Sequence, residues 1–215
     1  MKELMKELTK GLFGLVLCWA VFVNGASIAT AAIPAQVGPK ASVQAATDTL
    51  LTKLKEVKPL YVEDPAAFFA EIDQSLGPFV DFDGFSRSVM AKYYRRASDE
   101  EKAQFIQTFR KGLIETYAKA LVEFENETII VLEPTIDADR PDRASIGLEI
   151  HGANSRIYPV EYSLILIDNK WLLRNVVIEG INIGLQFRSQ FAAYMRTYNN
   201  NIGDVIANWS VDAGS

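Results

Sequence analysis

The spacing of apolar residues changes period once in this chain, near residue 125, and that change limits the fold more than any other feature. Before it, apolar side chains recur every three to four residues, as on one face of a helix. After it they alternate, as on one face of a strand, until helical spacing returns beyond Gly180. Helices grouped apart from a run of strands predict an α+β fold: a helical N-terminal half, an antiparallel sheet of about four strands, and C-terminal helices.

Local signals divide the two halves. Val43, Ala46, Leu50, Leu54 and Val57 form one stripe, closed by Pro59. Asp64 followed by Pro65 reads as a cap with proline at the first helical position, and Phe68, Ile72 and Leu76 continue that helix to Gly77-Pro78. Phe82, Phe85, Val89 and Tyr93 predict a third. The longest helix begins at Ser98, where Glu101 completes a capping box, and its stripe runs through Phe105, Phe109, Leu113, Tyr117, Leu121 and Phe124. Strands are expected over residues 128–132, 144–150, 157–167 and 171–179, with Asp168-Asn169-Lys170 turning the last two into a hairpin. Residues 164–167 and 176–178 are apolar on both faces, so each side of the sheet needs cover there. Phe187, Phe191 and Tyr194, then Ile202, Val205, Ile206 and Trp209, return to helical spacing.

The N-terminus reads as an address rather than part of the fold. Lys2, Lys6 and Lys10 precede an uncharged apolar run over residues 12–23, and Ala29-Thr30-Ala31 fits signal-peptidase cleavage. A run of about a dozen residues is too short for a bilayer, which takes roughly 20. Residues 1–31 are therefore expected to be a cleaved signal peptide, and 32–215 a single domain without a permanent membrane anchor. Cys18 is the one cysteine and lies inside the apolar run, so the mature chain has no disulfide, thiolate nucleophile or cysteine–metal site. The formal net charge is −5, and no basic run exceeds Arg95-Arg96, which argues against nucleic acid as a partner.

Chemistry-bearing patterns are scarce. No phosphate-binding loop, dinucleotide fingerprint, nucleophile elbow or H-E-x-x-H occurs. His151, the lone histidine, ends a strand and is read as structural or exposed. Asp137, Asp139 and Asp142 lack the glycine and terminal glutamate of a calcium loop and are read as a solvated turn. Glu149 and Glu161 alternate with the apolar face, and no catalytic or metal-binding residue is assigned.

Two longer segments are more specific. Val80-Asp81-Phe82-Asp83-Gly84-Phe85-Ser86-Arg87 leads to Tyr93-Tyr94-Arg95-Arg96-Ala97-Ser98, then to Phe105, Phe109, Tyr117 and Ala120-Leu121. Asn175-Val176-Val177-Ile178-Glu179-Gly180-Ile181-Asn182 is followed by Phe187-Arg188-Ser189-Gln190-Phe191. In order and spacing these resemble the toluene-tolerance, or MlaC, family of periplasmic phospholipid-binding proteins, over roughly residues 40–209. The resemblance implies helices packed on a twisted, NTF2-like sheet with a deep apolar pocket between them. It also implies a Gram-negative periplasmic location and phospholipid as bound ligand. The implied partners are an outer-membrane lipoprotein complex and an inner-membrane ABC transporter complex of the Mla type.

A carrier of this kind must replace the bilayer around acyl chains. Each methylene taken from water is worth about 0.8 kcal/mol, so a chain of about fifteen gains roughly 12 kcal/mol as an upper bound. The pocket must then reach on the order of 1,000 Å³. The candidate lining is Phe105, Phe109, Leu113 and Tyr117 from the long helix facing Ile146, Leu148, Tyr162, Leu164, Val176 and Ile178 of the sheet, with Phe187 and Phe191 closing one end. Arg95 and Arg188 are the candidates for a headgroup phosphate, and the junction from Gly180 to Gly184 is where movement is expected. No cofactor is expected, and a monomer suffices. The rival readings are a carrier of another hydrophobic ligand, an enzyme using the same pocket, and a structural adaptor.

Overall fold

Proline opens the first helix, α1 (Pro39–Val57), where a missing N–H costs nothing. A single turn, α2 (Leu60–Glu63), follows. Asp64 then accepts a hydrogen bond from Ala67 N at 3.1 Å and starts α3 (Pro65–Leu76), which ends in a 3-10 turn at Gly77–Phe79. Asp81 caps α4 (Phe82–Met90) through Gly84 N at 2.9 Å. After a second 3-10 turn, Ala91–Tyr93, the capping box forms as expected: Glu101 N donates to Ser98 Oγ and Ser98 N to Glu101 Oε2. It starts α5 (Asp99–Leu121). The computed structural model describes residues 37–123, 127–152 and 156–211; the expected leader, residues 1–31, and Phe124 lie outside them.

The strands are β1 (Thr128–Ile136), β2 (Arg143–His151), β3 (Ile157–Ile167), β4 (Lys170–Ile178) and β5 (Ile181–Asn182). They form one antiparallel sheet in sequence order, five strands where about four were expected. The extra strand is two residues long, too short to leave a period in the sequence. Asp168 and Asn169 both take positive φ, 47° and 62°, in the two-residue turn that joins β3 to β4. Glu179 and Gly180, at 49° and 82°, do the same between β4 and β5. Helices α6 (Ile183–Thr197) and α7 (Ile202–Ala207) complete the chain, capped by Asn182 and Asn201.

Three apolar clusters hold these elements. Val43 of α1 covers Ile146, Leu148, Leu164 and Trp171 of the sheet. Leu54, Val57, Phe68 and Ile72 of α1 and α3 meet Ile114 and Ala118 of α5, and Arg110 reinforces that contact with bonds of 2.7 and 2.9 Å to the Asp73 carboxylate. The third cluster is aromatic. Phe105 and Phe109 of α5 were expected to face the sheet, and instead turn toward Phe187 and Phe191 of α6 and Trp209, with ring centroids 5.1 to 6.3 Å apart. Most of these pairs meet edge to face, the arrangement that ring quadrupoles favour, which accounts for the choice of partner.

Candidate functional site

Strand pairing fixes which side chains share a face. Ile146, Tyr162 and Val176 form one cross-strand rung through β2, β3 and β4, and Leu148, Val160 and Ile178 form the next. Leu164 lies between Ala144 and Leu173. All six sheet residues of the expected lining thus sit on one side, and a slip of one residue would have turned them all away. Ile146, Leu148 and Leu164 are sealed, whereas Tyr162, Val176 and Ile178 keep accessible surface.

Val176 and Ile178 touch both the sheet cluster and the aromatic cluster. Leu113 and Tyr117 of α5, also half-buried, pack against the aromatic cluster as well. These residues mark an apolar seam between sheet and helices. Phe105, Phe109, Phe187 and Phe191 stand behind it, each 0 or 1 % exposed, so they brace the wall without presenting surface to the seam. The expected twelve residues therefore divide into five with access (Leu113, Tyr117, Tyr162, Val176 and Ile178) and seven that are closed off.

Two tyrosines put hydroxyls into this setting. Burial raises the pKa of both Tyr117 and Tyr162 above the usual 10, and neither hydroxyl has a hydrogen-bond partner among the described residues. Tyr162 is only partly buried, on the sheet face that packs against the apolar cluster. Phe79, just before α4, lies 6.5 Å from it, ring centroid to ring centroid. Phe79 also borders an open groove of about 460 Å³ between α1 and the β3–β4 turn, lined by Ala45, Ala46, Thr49, Trp171 and Leu172 among others. That is under half the roughly 1,000 Å³ a lipid asks for, so the groove alone does not house one.

The walls are tied together at an irregularity in β4. Ser163 pairs with Asn175 but Leu164 with Leu173, which leaves Arg174 as an extra residue. Arg174 Nε donates to Asp81 Oδ2 at 2.7 Å, and its Nη2 bonds the same oxygen. Asn175 Oδ1 accepts from Gly184 N at 2.9 Å in the first turn of α6. Two adjacent β4 residues thus hold the starts of α4 and α6. Gly84 and Gly184 let them approach, since a Cβ at either would collide with the clamping side chain. Asp81 and Gly84 of the 80–87 segment are accounted for by this joint. Phe79 and the clamp were not anticipated; the signal for the clamp was an arginine beside an asparagine in the middle of a strand apolar on either side, where a charge needs a partner.

The remaining expected residues lie elsewhere. Arg95 and Arg188 are exposed on the helical side. His151 Nε2 lies 2.9 Å from Glu149 Oε2, both half-buried. The Asp137 carboxylate is engaged by Arg140 and by the backbone of its own turn. Glu179 donates its N–H to Pro159 O at 3.0 Å and pairs with Arg156 at 2.5 Å, Glu161 is exposed, and neither joins the seam.

A sequence model of one family, described as MlaC protein, matches residues 44–211. The toluene tolerance protein ttg2D of Pseudomonas putida is 41% identical over 173 residues, 80% of each chain. The intermembrane phospholipid transport system binding protein MlaC of Haemophilus influenzae is 27% identical over 108 residues, 50% of each. Among solved structures, a phospholipid-binding protein from Ralstonia solanacearum in complex with a phospholipid superposes with a TM-score of 0.71 at 23% identity. It covers 78% of this chain and 92% of its own, and so shares the fold.

Proposed function

This chain belongs to the MlaC family, and from that premise we propose that it is a phospholipid carrier of the Gram-negative periplasm. It holds acyl chains in the seam between sheet and helices and performs no chemistry on them. The observation that carries this reading is the seam itself: Val176, Ile178 and Tyr162 of the sheet, with Leu113 and Tyr117 of α5, pack against the apolar clusters and yet stay only partly buried. A protein that only had to be stable would close such a gap, since each buried methylene contributes about 0.8 kcal/mol.

In this reading the chain loses residues 1–31 on export, and α1 begins only at Pro39, so cleavage leaves the described fold intact. No helix among the described residues is long and apolar enough to cross a membrane. The mature monomer exchanges phospholipid with an outer-membrane lipoprotein complex and an inner-membrane ABC transporter complex of the Mla type. Loading and release follow from affinity differences those complexes impose. The tails supply most of the binding energy, and Arg95 and Arg188 serve at most a headgroup phosphate.

The test is the native mass of the mature protein purified from periplasm, followed by identification of whatever denaturation releases. Near-stoichiometric phospholipid is the expected result. A protein that arrives empty, and stays empty when offered phospholipid vesicles, overturns the carrier and returns the enzyme and adaptor readings.

A further inference from the structure

Two tyrosines interrupt the sheet's apolar face, Tyr158 opposite Ile150 near the start of β3 and Tyr162 in the middle of the strand. The cross-strand neighbours of Tyr162 are Ile146 and Val176, and the ring of Phe79 stands 6.5 Å away. Packing alone is served there by phenylalanine. The hydroxyl is desolvated, as its raised pKa reflects, and meets no acceptor among the described residues. Tyr162 keeps accessible surface on this apolar face, and an unpaired hydroxyl beside accessible space is matched to something that enters that space.

We propose that Tyr162 is a specificity-determining residue for ester-linked lipid, its hydroxyl donating a hydrogen bond to an acyl ester carbonyl. The proposal rests on the carrier reading and adds to it the linkage that the protein recognises. Phosphate and amine groups carry charges that this apolar setting penalises heavily, whereas an ester carbonyl is a neutral acceptor attached directly to the chain the seam buries. An ether oxygen is a poorer acceptor in nearly the same shape, so the hydroxyl separates two lipids of equal apolar area. Tyr117 is less suited to that role, because it packs at the edge of the aromatic cluster on a helix rather than at the middle of the sheet rung.

The experiment offers delipidated mature protein a mixture of diacyl phosphatidylglycerol and the dialkyl ether lipid of identical headgroup and chain length, and reads occupancy by native mass spectrometry. The wild-type protein is expected to favour the ester by about three- to tenfold, the range for one neutral hydrogen bond. Tyr162→Phe is expected to take up the two lipids equally. A wild-type protein without preference overturns the proposal whatever the variant does, and so does a variant that keeps the preference; in both cases the carrier reading stands. A wild-type protein that takes up neither lipid overturns the carrier reading and this proposal with it.

Discussion

At the scale of single residues, the decisive pairing is between side chains 93 positions apart. Asp81, 7 % exposed, caps α4 and neutralises Arg174, so it satisfies a helix end and a half-buried cation together. Asp81→Ala removes both functions and is expected to cost about 3 kcal/mol, read as a lower urea midpoint at unchanged slope. Adding Arg174→Met should recover part of the loss, because the stranded charge goes too. Ala91 gives the opposite case. It ends α4 at φ 51° and ψ −121°, a conformation that a Cβ disfavours. Ala91→Gly is expected to gain about 1 kcal/mol in the same measurement.

At the scale of elements, local chemistry was legible and long-range choice was not. The Asp64-Pro65 pair and the Ser98–Glu101 box announced their helices, because caps and proline act within one turn. The period of two placed Ile146, Tyr162 and Val176 on one face, because strand pairing preserves alternation. The direction in which Phe105 and Phe109 point was not readable, since an aromatic stripe reports that a helix face is buried and not what buries it. The Arg174 bulge was equally silent, as one extra residue looks like any other inside an apolar strand. Of the twelve residues expected to line a pocket, five keep accessible surface and seven are buried, since alternation and stripes report a face and not the depth of each side chain on it. The weakest element is β5, held by pairings at Ile178–Ile181 and Val177–Asn182 alone. Amides from Gly180 to Gly184 are expected to exchange hydrogen faster than those of β3, and to slow when lipid fills the seam. Equal exchange in the empty and filled protein would show that the junction does not respond to cargo.

At the scale of the whole molecule, the two margins of the sheet are finished differently. Beyond β4, Val80 forms a parallel bridge with Leu173 and β5 covers the rest. Among the described residues β1 has no strand on its outer side, and Ile130, Leu132 and Ile136 are exposed along it. Such a strand is a template on which a second copy can stack. Pro134 withholds a donor in mid-strand, the register shifts between Val131 and Pro134, and Glu133 binds Lys40 of α1. Pro134→Thr restores the donor, and is expected to turn a monodisperse solution into one that scatters light and binds fibril dyes at high concentration. The irregularity in β1 would then be a safeguard of solubility, an open sheet margin spoiled as a template for a second copy.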